Sequence, residues 1–314
     1  MIPKLNSCRR RGYFFSLGLL FLATIFSSCG SQTKAPMNID ELRTAVNEML
    51  ADQDGTFAIA YHNLGTGEEL LINADTIFHA ASTMKTPVMM EVFRQAGEGR
   101  FSLQDSVKIE NRFKSIVDSS EYQLNAADDS DTAIYNRIGT GETIYDLTVD
   151  MIIKSSNLAT NMIIQLVGAK NVMQHLEKLQ IENLHVLRGV EDQKAYDLGM
   201  NNTTSARALM KLYIAIASNK AGTPEDCAEM IKILKMQEHN RVIPALLPKT
   251  VSVAHKTGNI TGVEHDSGII MLPDGKKYVL VILSKNLKNE DSAINSMAQV
   301  SKLIYDYFVG QTAK

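Results

Sequence analysis

The stretch FHAASTMKTP, residues 78–87, contains the pattern Ser-x-x-Lys at Ser82 and Lys85. A serine hydroxyl is a weak nucleophile and needs an adjacent base to take its proton. If a helix begins at Ser82, Lys85 lies one turn further along the same face, with its amine near the hydroxyl. Unpaired backbone N–H groups in that first turn also favour the negative charge that acyl transfer creates. Ser82 and Lys85 are therefore the candidate nucleophile and base.

A second Ser-x-x-Lys pair occurs at Ser31 and Lys34, so the pattern alone is not specific. Residues 30–37 are polar and contain one proline, which indicates a tether rather than a folded element. Ser82 instead follows two predicted strands, and a proline at position 87 is tolerated best near the start of a helix. We therefore take Ser82 and Lys85 as the functional pair.

The N-terminus predicts an export signal. Arg9–Arg11 precede an apolar run over residues 13–26, which small residues follow, and the run is short for a membrane-spanning helix. Small residues directly before Cys29 are similar to the bacterial lipoprotein signal, in which that cysteine is acylated. The alternative is an ordinary secretory signal cut nearby. We expect a lipoprotein signal peptide over 1–28, a tether over 29–38 and a folded domain over 39–311.

Charge and composition argue against a nucleic-acid partner, a disulfide, a metal and a cofactor. Residues 1–28 hold four basic and no acidic residues, so the remainder has 28 basic and 35 acidic residues and a net charge of −7. This balance argues against nucleic acid as a partner. Cys227 is the only cysteine of the predicted domain, and the histidines have no zinc-ligand spacing, so we expect no disulfide, metal or cofactor. We expect a monomer.

The order of predicted elements indicates an α+β fold. Strand-like runs lie near both chain ends, at Thr56–Asn63, Glu69–Asn73, Val251–Lys256, Gly268–Leu272 and Tyr278–Leu283. Helical periodicity covers Asp40–Leu50, Thr83–Ala96, Leu147–Leu179, Thr203–Ser218, Thr223–Gln237 and Ser292–Phe308. A mixed α/β lobe with an antiparallel sheet from both chain ends, beside an all-α lobe, follows from this order.

Two segments lack clear periodicity. Val107–Tyr145 is polar and predicts a surface loop with short pieces of structure. Leu184–Asn202 predicts a second long loop, and long loops inside compact domains tend to be functional.

Two more short motifs follow the first. Ser155-x-Asn157 lies at a junction between predicted helices, and Lys256-Thr-Gly258 ends a predicted strand. Each is common by chance, but together they place chemistry on three elements that can converge on one cleft. In this order the motifs resemble those of the class A β-lactamases and their penicillin-binding relatives. The resemblance covers roughly Asp40 to Gly310.

The resemblance implies a role for each motif. Ser82 attacks a lactam carbonyl with the help of Lys85, the backbone N–H groups of Ser82 and Asn259 form the oxyanion hole, and Ser155 relays a proton to the lactam nitrogen. The substrate-binding residues that it implies are Asn157 for the side-chain amide, Lys256 and Thr257 for the carboxylate, and Gly258 for close approach of the strand.

The resemblance also implies a glutamate on the second long loop that activates the deacylating water. Glu191 is the candidate, with Asp192 or a mere surface acid as alternatives. Two features depart from the family pattern. Arg188 and Glu191 are spaced one residue wider than the usual Arg-x-Glu, and Asn202 stands where an aspartate usually closes the loop.

The sequence therefore predicts an exported, lipid-anchored serine β-lactamase facing the periplasm, which hydrolyses penicillins or cephalosporins through a Ser82 acyl-enzyme. The alternative is a peptidoglycan-directed D,D-peptidase of the same fold that deacylates slowly on lactams. A non-catalytic lipoprotein that binds cell-wall peptides would have no need of the serine–lysine pair.

Overall fold

The structure is a computed structural model that describes residues 12–13 and 37–312. The predicted acylation site at Cys29, and nearly all of the predicted signal peptide and tether, lie outside the described residues. All elements described below belong to one compact unit, Pro36–Lys314.

The helices of the described ranges follow the predicted periodicity closely. They are Ile39–Ala51 (α1), Lys85–Gly97 (α2), Ile144–Ile153 (α3), Asn157–Val167 (α4), Ala169–Lys178 (α5), Gln193–Asp197 (α6), Ala206–Ala217 (α7), Pro224–Lys235 (α8) and Glu290–Thr312 (α9). Polar residues before the first turn fix several starts: the side chain of Asn38 accepts from two backbone N–H groups of α1, and that of Thr223 caps α8. No helix in the described part of the chain is long and apolar enough to cross a membrane.

The strands of the described part of the chain form one large sheet and three short ladders. They are Thr56–Asn63 (β1), Glu69–Ile72 (β2), Phe78–His79 (β3), Ser106–Lys108 (β4), Phe113–Lys114 (β5), Glu121–Tyr122 (β6), Gly141–Thr143 (β7), Thr203–Thr204 (β8), Ser252–Ile260 (β9), Val263–Met271 (β10) and Lys277–Lys285 (β11). The short ladders pair β3 with β8, β4 with β7 and β5 with β6.

The large sheet joins both ends of the chain. Its strand order is β2-β1-β11-β10-β9, and each pair of neighbouring strands is antiparallel. β1 lies beside β11, with Thr56 opposite Lys285 and Asn63 opposite Tyr278. The predicted α+β fold is thereby confirmed. β9 is an edge strand, so it has a neighbouring strand on one side only.

Apolar side chains cover both faces of this sheet. Along β1, Ile59 and Tyr61 pack in one cluster with α1 and α9, while Ala58 and Ala60 join the cluster of the central helices on the other face. This alternation explains why the strand is nearly all apolar. The helices that carry the site are thus packed against a sheet buried on both faces.

Two strands are longer than the sequence predicts. β9 continues to Ile260 and β10 begins at Val263, since a two-residue turn containing Gly262, with a φ of +72°, joins them. The Lys256-Thr-Gly258 motif therefore lies inside β9, and the expectation that it ends a strand is wrong. Hydrophobic periodicity does not predict this hairpin, because several of its polar residues are buried with hydrogen-bond partners, as described below for His265.

The segments without periodicity also contain short structure. Within Val107–Tyr145 there are two ladders and two 3₁₀ turns, Ala126–Asp128 and Thr132–Arg137. Thr203 and Thr204 form β8 rather than the start of a helix, and the hydroxyl of Ser205 caps α7 instead.

Candidate active site

Ser82 lies on a short 3₁₀ turn, Ala81–Met84, between β3 and α2. Its side chain is half-buried and lines a cleft. Ala81, the residue before it, has a φ of +44°, a left-handed conformation that non-glycine residues adopt only where their surroundings hold them there. α2 begins at Lys85 rather than at Ser82 as predicted. The serine thus lies on the strained connection into the helix, not in the helix itself.

Lys85 is fully buried at the first position of α2. Its Nζ donates to the carbonyl oxygen of Ser155 at 2.7 Å, to the Ser155 hydroxyl at 3.3 Å and to Asn157 Oδ1 at 2.9 Å. Burial lowers the pKa of Lys85 to about 7, although two nearby carboxylates oppose the shift. A large fraction of the amine is therefore neutral near pH 7; this form donates to only two of the three acceptors and carries a lone pair that can take a proton.

The Ser155 hydroxyl connects the two lysines of the motifs. Ser155 lies between α3 and α4 with a φ of +61°, and Lys256 Nζ donates to its Oγ at 2.9 Å. Lys256 is also fully buried; burial first, and then the charge of Lys85, lower its pKa well below the usual value. The hydroxyl can thus pass a proton between a lysine and a group in the cleft.

Gly258 brings β9 into close contact with the nucleophile turn. A Cβ added at Gly258 would lie 2.9 Å from the backbone nitrogens of both Ser82 and Thr83. The sequence predicts that this glycine lets the strand approach the substrate, but the structure shows that the tight approach is to the backbone of the turn itself. Asn259, the next residue, is exposed and lines the same cleft as Ser82.

Glu191 lines the cleft from the long loop between α5 and α7. Asn157 Nδ2 donates to its Oε1 at 2.7 Å, and its backbone has a φ of +59°. Loss of hydration in the cleft raises the pKa of Glu191, while the hydrogen bond from Asn157 and the charge of Lys85 act in the opposite direction. Glu191 is thereby linked through one amide to the amine of Lys85.

The motifs meet around one cleft with a cavity volume of about 330 Å³. Ser82, Asn157, Glu191 and Asn259 line it, while Lys85 and Lys256 are buried behind it. Among the described residues, no group of three or more histidine, cysteine or carboxylate side chains could hold a metal ion. The arrangement combines a serine on the cleft with a carboxylate on the same cleft and two buried amines that share the Ser155 hydroxyl.

Comparison with known proteins now places the chain. The sequence model of the β-lactamase enzyme family matches residues 41–308, which is most of the protein. The chain belongs to the β-lactamase enzyme family. The resemblance to class A β-lactamases that the three motifs suggest is thereby confirmed at the level of the family.

Relatives of this β-lactamase-family protein match most of its length. VEB-1, a β-lactamase of Pseudomonas aeruginosa, is 24% identical over 306 residues, or 93% of this chain and 96% of that protein. PBP-A superposes with a TM-score of 0.72 at 28% identity, covering 85% of this chain and 95% of its own, and a mutant of it is solved as an acyl-enzyme complex with penicillin G. A β-lactamase from Sphaerobacter thermophilus superposes with a TM-score of 0.71 at 25% identity, covering 85% of this chain and 97% of its own.

In this β-lactamase-family chain Asp192 is a structural residue. It is buried, and its carboxylate accepts from Ser115 Oγ at 2.9 Å, from Ile116 N at 2.9 Å and from Ala195 N at 3.2 Å. It therefore caps α6 and ties the long loop to the 107–145 segment. Asp192 also lines the cleft, but its hydrogen bonds indicate a structural role, and it stays the alternative to Glu191 as the base.

The long loop is closed by amides rather than by an ion pair. Asn202 Oδ1 accepts from Leu187 N at 2.8 Å and from Arg188 N at 3.2 Å, and its Nδ2 donates to Arg188 O at 3.0 Å. The guanidinium of Arg188 donates to the carbonyls of Gly189 and Met200 and to the side chain of Asn201. The asparagine thus takes over the closing role for which the family pattern uses an aspartate.

Two residues that the sequence reading misses hold the site in place. Asp129 accepts from the backbone N–H groups of Asn157 and Leu158 at 2.9–3.0 Å, at the start of α4. Asn161 accepts from Val190 N at 2.6 Å and donates to Val190 O at 3.0 Å, which fixes the residue before Glu191. Asn161 lies one helical turn after Asn157, so its i, i+4 spacing on α4 is the signal that could have identified it.

Replacing Gly258 with alanine is expected to slow acylation on the order of 10²-fold and to destabilise the fold by about 1–3 kcal/mol. The new Cβ forces the nucleophile turn away from β9, since the atoms that it meets are backbone. Stopped-flow acylation rates and chemical denaturation measure the two effects. Gly97→Ala, where nothing lies within 4 Å of the added carbon, is the control. Equal acylation rates in the two variants would show that the contact is not needed.

Proposed function

We propose that the protein is a serine β-lactamase that hydrolyses the lactam amide of penicillins or cephalosporins through an acyl-enzyme at Ser82. The observation that carries the proposal is the pair of buried amines that share the Ser155 hydroxyl, beside a cleft that Ser82 and Glu191 both line. The family match supports the substrate class.

Acylation uses Lys85 and Ser155 in turn. The neutral amine of Lys85 takes the proton of Ser82, and the serine oxygen attacks the lactam carbonyl carbon. The backbone N–H groups of Ser82 and Asn259 stabilise the oxyanion. As the carbon–nitrogen bond breaks, Ser155 gives its proton to the lactam nitrogen and recovers one from a neighbouring lysine, with which it is hydrogen-bonded.

Substrate binding uses the remaining motif residues. Lys256 and Thr257 are assigned to the substrate carboxylate, through hydrogen bonds that are charge-assisted when Lys256 is protonated, and Asn157 to the substrate's side-chain amide. An incoming anion also compensates the repulsion between the two buried amines, since the charge of Lys85 lowers the pKa of Lys256.

Deacylation is assigned to Glu191. Its carboxylate takes a proton from a water molecule whose oxygen attacks the acyl carbon, and Ser82 leaves with a proton returned to it. The raised pKa of Glu191 brings the carboxylate closer in basicity to neutral pH, which favours this role.

A second candidate function is favoured by the similarity to PBP-A, of which a mutant is solved as an acyl-enzyme with penicillin G. It is a peptidoglycan-directed D,D-peptidase that acylates at Ser82 but deacylates slowly on lactams. Purified protein lacking residues 1–29, mixed with the chromogenic cephalosporin nitrocefin, separates the two. Many turnovers per molecule support the β-lactamase, whereas one burst followed by a stable adduct supports the peptidase.

The acylation rate is expected to rise with pH through about 7, because the neutral form of Lys85 is the base and its pKa is lowered to about 7. An unperturbed lysine would become basic only above about pH 10. Single-turnover acylation measured between about pH 5.5 and 8.5 tests this. A rate that stays level over that interval would exclude Lys85 as the group that takes the proton.

We also propose that the protein is exported and anchored by a lipid on Cys29, facing the periplasm as a monomer. The basic residues, apolar run and small residues before Cys29 support this. Labelling of the wild type, but not of Cys29→Ser, by a radioactive fatty acid in growing cells is the test.

A further inference from the structure

The residues before Ser82 are held by a histidine side chain. The backbone N–H of Ala81 donates to His79 Nδ1 at 3.0 Å, across two residues, in the manner of an Asx turn. Ala81, which receives this support from His79, is the residue with the left-handed φ of +44° immediately before the nucleophile. The hydrogen bond therefore acts on the strained peptide that positions Ser82.

We propose that His79 is a positioning residue whose neutral imidazole holds the Ser82 turn in its reactive conformation and releases it when the ring is protonated. The inference rests on the proposed function of Ser82 and deepens it. An imidazolium carries N–H on both ring nitrogens. It would then point a donor at the Ala81 N–H in place of an acceptor, so the contact would become repulsive.

The backbone around His79 is fixed by contacts that do not depend on this ring. His265 Nε2 donates to the carbonyl oxygen of His79 at 2.9 Å, and Ala80 N donates to Asn202 O at 2.9 Å. Its other ring nitrogen, Nδ1, lies 2.9 Å from the carbonyl oxygen of Glu264 and 3.2 Å from Ser284 N, so contacts at both nitrogens hold the His265 ring in place. The imidazole of His79 is thus the titratable contact in an otherwise fixed segment.

The groups that face His79 come from three elements. Arg188 lies on the long loop, the ring of Tyr196 on α6 is 6.5 Å away between centroids, and His265 lies on β10. Burial, and then the charge of Arg188, lower the pKa of His79. His265 adds no charge near neutrality, because burial lowers its pKa to about 4. The surroundings therefore keep His79 neutral at physiological pH.

Two substitutions separate the hydrogen-bond acceptor from the proton. In His79→Asn the amide oxygen can accept from the N–H two residues on and does not titrate. In His79→Leu a side chain of similar bulk offers no acceptor. We expect single-turnover acylation by nitrocefin near pH 7.5 to fall at least about 10-fold in the leucine variant and to stay within about 3-fold of wild type in the asparagine variant.

The pH dependence of acylation distinguishes this role from a merely structural one, which would not change with the protonation of the ring. The ratio of wild-type to His79→Asn acylation rates cancels the titration of Lys85, which both proteins share. We expect this ratio to be constant at neutral and higher pH and to fall only on the acid side of the usual histidine range, where the wild-type ring alone takes up a proton. A flat ratio, or a leucine variant as fast as the asparagine variant, overturns the inference.

Failure of the proposed function would show differently. If wild-type protein forms no adduct with nitrocefin or with penicillin G, the lactam assignment fails. Ser82 can then be labelled with a fluorophosphonate, which needs an activated serine but no lactam recognition. The same ranking of wild type, asparagine and leucine variants in the labelling rate supports the role of His79, and equal labelling rates overturn it.

Discussion

Replacing Ser82 with alanine is expected to lower lactam hydrolysis by more than about 10⁴-fold, because the atom that forms the acyl bond is removed. The rest of the site remains: the hydrogen bonds from Lys85 to Ser155 and Asn157 do not involve Ser82. Turnover of nitrocefin measures the loss of hydrolysis, and the mass of the protein after incubation with a penicillin measures the loss of the acyl bond. The acyl adduct should be absent from the variant.

The control is the identical substitution in the second Ser-x-x-Lys pair. Ser31→Ala changes a residue of the predicted tether and should leave both turnover and adduct formation at the wild-type level. Loss of hydrolysis in Ser31→Ala, with activity retained in Ser82→Ala, would reverse the assignment. A residual rate in Ser82→Ala without an adduct is the catalysis that oxyanion stabilisation and binding supply on their own.

Replacing Glu191 with glutamine is expected to slow deacylation by about 10²–10⁴-fold while acylation changes much less. Glutamine keeps an oxygen that can accept from Asn157 Nδ2, so the local geometry is conserved and only the basic carboxylate is lost. A stable acyl-enzyme should therefore accumulate. Quenched-flow mass spectrometry of the protein during reaction with nitrocefin gives both rate constants.

Asp197→Asn on the same loop is the matched control. It removes the same charge from α6, on a residue that does not line the cleft. Its deacylation rate should equal that of the wild type. If Glu191→Gln deacylates as fast as Asp197→Asn, Glu191 is not the base. That result would favour the D,D-peptidase over the β-lactamase as the function of the protein.

The sequence predicts the fold well wherever apolar periodicity decides it. β1 has the predicted bounds, and the sheet formed by both chain ends follows from apolar runs that pack on two faces. The pattern fails at the hairpin of β9 and β10. His265 and Asp266 are polar but fully buried, because His265 bonds to a backbone carbonyl and Asp266 to His255 at 2.8 Å. Such partners cannot be seen in hydrophobic periodicity.

In the candidate site, too, the sequence predicts some residues and misses others. Ser82, Lys85, Ser155 and Lys256 stand in short motifs, and the structure brings the two lysines to one hydroxyl. The residues that hold these groups in place belong to no motif and lie far away in the sequence. Asp129, for example, accepts from the backbone of Asn157 in α4, 28 residues later. Nothing local marks such a residue as a partner, since its role depends on how the fold closes.

The neutral closure of the long loop has a consequence for the conditions under which the protein works. An ion pair at the neck of a loop is weakened by salt and is broken when acid protonates its carboxylate. The side chain of Asn202 has no charge and no proton to gain in that range, and the guanidinium of Arg188 donates to carbonyl and amide oxygens. The ends of the loop that carries Glu191 should therefore stay together at high ionic strength and in acidified surroundings alike.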